Sequence, residues 1–280
     1  MPDITASLVK ELRDATSVSM MECKKALVTT NGDIEAATKL LREKGVAVNT
    51  KRAAKATNCG VIASSSSDDG KCSTLVEVNC ETDFTAKNED FQAFAQDLSA
   101  KILSCDGSIA DNEETQGALM DIVAAIGEKI VIKRDTKYTL DGTGCVTPYI
   151  HLGGKVGVLI ELACEKEDTT SNDAFKELAK DLTLHIAAAN PGYLTSDEVP
   201  EDVVTAERDI YAKQVEGKPA EILEKILDGK IKKFFSEICL VNQMFVKDTD
   251  ISITKLLEAK GKELDDTLTI KRFVRYQLGA

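Results

Sequence analysis

The chain matches itself. Shifted by 84 residues, Leu75, Glu77, Cys80 and Glu81 fall on Leu159, Glu161, Cys164 and Glu165. Phe91, Ala95, Asp97, Leu98 and Ile102 fall on Phe175, Ala179, Asp181, Leu182 and Ile186. The register holds without a gap from Gly60, which meets Gly144, through Gly70-Lys71 on Gly154-Lys155. An ungapped internal match of that length reads as two copies of one supersecondary unit, so the fold must be a duplicated scaffold.

Each copy has two short β-type runs around a polar turn, followed by a helical period, which makes the unit a hairpin plus a helix. In the first, residues 60–63 pair with 74–78 across a serine-rich loop. Asn88, Glu89 and Asp90 then offer caps for a helix over 89–103. In the second, residues 145–151 and 156–164 flank Leu152-Gly153-Gly154-Lys155. A helix over 173–189 follows and stops at Asn190-Pro191-Gly192. The copies part where Thr82-Asp83-Phe84 of the first faces Lys166-Glu167-Asp168 of the second. Only the first carries an aromatic at the loop tip. Two readings stand: Phe84 folds back into its own core, or it is a contact residue that the second copy has no use for.

Residues 1–45 read as a separate module of three short helices. Ile4, Leu8 and Leu12 share one face, Ser17 or Ser19 caps a second helix that Asn31-Gly32 ends, and Asp33 caps a third that Gly45 stops. The adjacent residues Met20 and Met21 cannot both face a helical core, so at least one is expected on the surface. Residues 46–58 are a basic, alanine-rich linker with Lys51, Arg52 and Lys55, read as a tether. The expected core subdomains are 59–138 and 139–280. In the first, helix 115–127 and a strand over 129–133 follow a loop at 105–114. In the second, two long helices (196–213 and 220–237, with Ile222, Ile226, Ile231 and Phe234 on one side) meet at Gly217-Lys218-Pro219 and form a projecting hairpin over 192–238. Helix 253–260 and a strand over 273–278 complete the chain.

The formal charge of −12 argues against nucleic acid as a partner, since phosphate recognition needs a basic face. The charge is uneven: residues 1–58 hold ten Lys and Arg against seven Asp and Glu, so a basic module is joined to an acidic body. Met1-Pro2-Asp3 is polar at once, unlike a secretory leader, and no apolar run approaches the roughly 20 residues of a membrane helix. With no C-x-x-C among eight cysteines, the chain reads as a reduced cytoplasmic protein, with Cys80 and Cys164 as small core residues.

Catalytic chemistry is thinly supplied. His151 and His185 are the only histidines, and neither has a second ligand at metal spacing. Gly153-Gly154-Lys155 lacks the spacing of a phosphate loop and joins two strands. No serine has a nucleophile-elbow context. The chain therefore reads as a protein-binding protein with no cofactor. A thiol enzyme using the cysteines and an adaptor built on the three-helix module alone are the competing readings.

Two motifs carry a resemblance. The stretch Leu12-Arg13-Asp14-Ala15-Thr16-Ser17-Val18-Ser19-Met20-Met21-Glu22-Cys23-Lys24-Lys25-Ala26-Leu27 and the stretch Glu77-Val78-Asn79-Cys80-Glu81-Thr82-Asp83-Phe84-Thr85-Ala86-Lys87 resemble the two signatures of the translation elongation factor Ts family. Gly217-Lys218-Pro219, Gly229-Lys230 and Phe245-Val246-Lys247-Asp248 add to it, and the likeness covers nearly the whole chain. It implies an α+β architecture: a ubiquitin-associated-like three-helix domain, two related subdomains and a projecting antiparallel helical hairpin. It implies a guanine nucleotide exchange factor for elongation factor Tu, acting without chemistry of its own. By the resemblance, Thr82, Asp83, Phe84 and Thr85 displace Mg²⁺ from the partner, with Asp83 and Phe84 entering between two helices of the GTPase. Arg13, Met20, Met21 and His151 match partner contacts. Thr85 stands where the family usually has valine, expected to weaken the apolar wedge slightly. Ser17 and Ser19 stand where glycine is common, and Met244 replaces a frequent proline. Whether the helical hairpin pairs with a second copy stays open.

Overall fold

The computed structural model describes residues 4–280 apart from residues 17, 53, 106, 108 and 216–219. It is a mixed α+β fold. Three helices come first: α1 (Ala6–Thr16), α2 (Met20–Thr29) and α3 (Ile34–Lys51). The first repeat contains β1 (Cys59–Ser66), β2 (Cys72–Cys80), α4 (Asp83–Ala86), α5 (Glu89–Ser104), α6 (Glu113–Ile126) and β3 (Val131–Thr139). The second contains β4 (Gly144–His151), β5 (Val156–Ala163), α7 (Glu167–Ser171), α8 (Asp173–Ala189), α9 (Glu201–Gln214), α10 (Ala220–Ile238), β6 (Met244–Phe245), β7 (Asp248–Ser252), α11 (Ile253–Leu264) and β8 (Thr269–Gln277). The Gly217-Lys218-Pro219 turn, Ser17 as an alternative cap, Met1-Pro2-Asp3 and the side chain of Ile222 lie outside the described residues.

The duplication extends beyond the stretch the sequence reveals. Each repeat builds an antiparallel three-stranded sheet, β1-β2-β3 and β4-β5-β8, and the third strands are equivalent. Both sheets carry a bulge at the same place, after Glu77 in β2 and after Glu161 in β5. Asn88 caps α5 and Asn172 caps α8. The helix before the third strand ends on a left-handed residue in each copy, Gly127 after α6 and Asp265 after α11.

The two sheets join by matched contacts. Ile62 N–H donates to Gly154 O (2.8 Å), and its counterpart Val146 N–H donates to Gly70 O (3.2 Å). Ile62, Leu75, Leu159 and Tyr276 form an apolar cluster between the sheets. Each repeat also has its own core, centred on Phe91 in the first and Phe175 in the second, both fully buried.

Three expectations need correction. The third helix does not stop at Gly45. A Cβ at that position would sit 2.3 Å from Met120 O, so the glycine lets α3 lie against α6 while the helix continues to Lys51. The expected linker is accordingly helical in its first part and docked beyond it: Arg52 pairs with Glu81 (2.6 Å), and Thr57 O accepts from Asn79 Nδ2 (2.9 Å). The helix expected from 196 begins at Glu201, because Pro200 lacks an N–H and sits best at a helix start. Ser196–Glu198 is an isolated 3-10 turn.

Three elements go beyond the expectation. β3 runs on to Thr139, α11 to Leu264, and the small β6–β7 hairpin was not anticipated.

Candidate partner-binding site

The segment after β2 is built from its residues as a single helical turn with a strong anchor. Thr82 is extended and caps α4, its hydroxyl accepting from Thr85 N–H at 3.3 Å. Thr82 also gives both of its protons to Glu128, the first residue after the α6 cap. Its N–H reaches Oε2 at 3.1 Å and its hydroxyl reaches Oε1 at 2.8 Å. Glu81 answers in the other direction, its Oε1 accepting from Lys129 N–H at 2.8 Å. That bond, with help from Arg52, holds the Glu81 carboxyl below its usual range. The segment 81–82 and the turn 128–129 thus clamp each other.

On this base the four residues of α4 divide by direction. Thr85 is buried. Asp83 is exposed and paired with Lys87 (3.1 Å), whose ammonium holds its carboxyl below the usual range. Phe84 is 81% exposed. A phenylalanine this open on a well-packed scaffold is unusual, and it decides between the two sequence readings: the ring is not part of its own core. The Thr85 side chain, which stands where the family usually has valine, faces inward.

The second repeat keeps the anchor and lacks the ring. Asp266, equivalent to Glu128, accepts from Glu165 N–H (2.9 Å), Lys166 N–H (3.1 Å) and Thr169 Oγ1 (2.5 Å). Burial alone would raise its pKa, but these bonds outweigh that and hold it at about 2. Thr169 is buried like its counterpart Thr85, while Asp168 occupies the place of Phe84.

The remaining expected contacts are all on the surface. Met20 is 43% and Met21 65% exposed on the first turn of α2, which Ser19 caps, so both methionines face outward where at least one was expected. Glu22 beside them is held to α2 and α3 by Lys25 and Lys44 (2.8 Å each), which lower its pKa to about 2. Arg13 is exposed in the last turn of α1. His151 ends β4, exposed, with Nδ1 2.8 Å from Tyr149 Oη. Leu152, the next residue, is 66% exposed in a left-handed turn. A cleft of about 690 Å³ brings this turn close to the first anchor: Asp83, Ala86 and Lys87 line one part and Leu152, Gly153 and Val156 another.

Sequence reasoning missed Glu128, Glu81 and Leu152. Glu128 could have been found by aligning the third strands, which sets it against Asp266. The shift of 84 residues fails there because the second repeat carries the inserted helices.

Among the described residues no group of His, Cys, Asp and Glu is arranged to hold a metal ion, and no helix is long and apolar enough to cross a membrane. The buried Cys80 thiol is pushed up to about 12, mainly by burial and then by Glu128.

The family model for elongation factor Ts matches residues 81–280. The chain belongs to the elongation factor Ts family. It is 44% identical to elongation factor Ts of Clostridium botulinum (strain Alaska E43 / Type E3), an alignment covering 99% of this chain and 93% of that relative. Elongation factor Ts of Nitratiruptor sp. is 42% identical and that of Trichlorobacter lovleyi 40%, with the same coverage of both chains. The matched span in the elongation factor Ts model begins at Glu81, just after β2, and so includes the anchored turn, the ring at its tip and the whole of the second sheet.

Proposed function

We propose that the chain is a guanine nucleotide exchange factor that binds elongation factor Tu in its GDP form and promotes GDP release and GTP loading during translation elongation in the cytoplasm. The observation that carries this is the exposed Phe84 ring on a clamped turn. Membership of the elongation factor Ts family supports the choice of partner.

The mechanism is allosteric and forms no covalent bond. GDP is held in the partner by backbone amides and Mg²⁺, the largest local charge. Asp83 and Phe84 enter between two helices of the GTPase, and the conformation that accepts them has a deformed Mg²⁺ site. Thr82 and Thr85 hold the turn from behind. Burying the ring is worth roughly 1.5–3 kcal/mol, which supports about a ten- to hundredfold share of the acceleration. Arg13, Met20, Met21 and His151 supply contact surface that orients the two proteins. By linkage the factor weakens nucleotide as much as nucleotide weakens the factor, so incoming GTP ejects it.

A thiol enzyme loses support, because a nucleophilic cysteine needs a depressed pKa and the Cys80 thiol is moved the other way.

The test is stopped-flow release of a fluorescent GDP from purified elongation factor Tu. Wild-type protein accelerates release, and Phe84→Ala loses about tenfold or more while keeping much of the binding. A Phe84→Ala protein as fast as wild type removes the ring from the mechanism.

A further inference from the structure

Glu128 lies outside the exposed turn, yet it holds Thr82, the residue on which that turn depends. A four-residue helix has no stability of its own, because one turn of hydrogen bonds does not offset the ordering of its backbone. The direction of Phe84 is therefore set from outside α4, at its cap. The Thr82 hydroxyl has one proton and two lone pairs. With the proton committed to Glu128 Oε1, a lone pair is left facing Thr85 N–H. The Thr82 N–H is committed to the other carboxylate oxygen. Charge-assisted bonds of this kind are about twice as strong as neutral ones, and two of them from one carboxylate fix both the backbone and the rotamer of Thr82.

Resting on the reading of Phe84 as the exchange residue, we propose that Glu128 is a positioning residue for nucleotide exchange: its carboxylate, bound to the Thr82 N–H and hydroxyl, sets the direction in which Phe84 leaves the body. The molecule supplies its own control. Asp266 makes the equivalent anchor in the second repeat, with three donors from the segment 165–169, on a turn that carries Asp168 in the place of Phe84. A purely structural anchor would matter equally in both places. A positioning residue matters to exchange only where there is a ring to position.

The experiment compares Glu128→Ala, Asp266→Ala, Phe84→Ala and the double variant Phe84→Ala/Glu128→Ala. It measures release of fluorescent GDP from elongation factor Tu over a range of factor concentrations, with urea unfolding of each variant alongside. Glu128→Ala lowers the maximal release rate about tenfold, the scale of lost charge-assisted bonds, while half-saturation shifts less. Asp266→Ala loses comparable stability and stays within about twofold of the wild-type rate. In the Phe84→Ala background, Glu128→Ala slows release no further, since coupled residues are non-additive. Where an alanine variant melts below the assay temperature, Glu128→Gln and Asp266→Asn keep the shape and one acceptor oxygen, and carry the same comparison.

Equal slowing by the Glu128 and Asp266 variants overturns the proposal, as does a full additional loss in the Phe84→Ala background. If Phe84→Ala is slow and Glu128→Ala is not, the positioning role alone falls. If Phe84→Ala itself matches wild type, the functional reading falls and takes the positioning role with it.

Discussion

Arg134 of the first repeat lies over the ring of Tyr276 in the second, 4.1 Å from its centroid, and the arrangement is reciprocated by Arg272 over Tyr138 at 4.2 Å. Each guanidinium also holds the buried carboxylate of its own sheet, Arg134 to Glu77 and Arg272 to Glu161, both at 2.7 Å. Arg134 reaches Gln277 O and Arg272 reaches Thr139 O across the junction. Cross-strand pairing, cation–π stacking and the junction between subdomains thus meet in one side chain on each side of a pseudo-twofold axis.

Removing one of these arginines strands a charge. Glu77 is fully buried, and without Arg134 its nearest cation is Lys133 at 3.5 Å. Arg134→Ala is expected to destabilise by about 2–3 kcal/mol, and Arg134→Lys to recover only part, because a single ammonium cannot pair with Glu77, reach Gln277 O and lie flat on the Tyr276 ring at once. Urea unfolding followed by circular dichroism checks this. A loss within error of an exposed lysine-to-alanine change contradicts it.

Gly45 and Gly117 are expected to respond in opposite directions to alanine. Both lie inside helices, where alanine is better by about 1 kcal/mol. A Cβ at Gly117 meets nothing within 4 Å, so Gly117→Ala stabilises. A Cβ at Gly45 meets Met120 O at 2.3 Å, and forcing α3 off α6 costs about 1–3 kcal/mol, more than the propensity returns. Thermal midpoints of the two variants separate the cases.

Thr85→Val tests the inward orientation of that side chain. Its hydroxyl lies 3.5 Å from Thr82 Oγ1, a marginal bond, so a valine of the same shape should change stability by less than about 1 kcal/mol. Exchange should stay at the wild-type rate. A clear rise in the rate of GDP release would show the side chain acting at the partner surface instead.

His185 gives the fold a pH dependence. It is buried, Nε2 bonds Gln243 Oε1 (3.0 Å), and Nδ1 accepts from Val246 N–H (3.3 Å). Gln243 gives its own N–H to Glu237 O, so the ring is neutral with its proton on Nε2. Burial lowers its pKa from 6.5. The unfolded chain therefore binds the proton more readily, and stability is full above pH 6.5 and falls as pH drops through that value toward the lower folded pKa. Urea midpoints at several pH values, for wild type and His185→Asn, check it: the variant should show the shallower decline below neutrality.

The duplicated hairpins and α8 were legible because apolar period and turn residues speak locally: Asn190-Pro191-Gly192 ends α8 at Ala189, as read. Phe84 was legible only as a difference between copies, since no local pattern says whether a loop aromatic is covered. Gly45 misled because a glycine at a helix stop and a glycine at a helix crossing look alike until the neighbour is known. Glu128 was invisible for a similar reason. Its partner Thr82 lies far off in sequence, and the inserted helices hide its equivalence to Asp266.

The second sheet has a history that the first does not. β1, β2 and β3 are assembled with only helices α4 to α6 between them, whereas β5 waits for β8 while the chain from Ala163 to Thr269 is made. A growing polypeptide on the ribosome therefore holds an open sheet edge until its last strand emerges, and Arg272 and Tyr276 arrive with that strand. The first half, complete in itself, meets the second earlier through Ile62–Gly154 and Val146–Gly70, but the reciprocal arginine–tyrosine contacts wait for that strand. The newborn molecule should thus acquire its rigid two-lobed form in one late step, during which the bare edge of β5 is the surface that chaperones have most reason to cover.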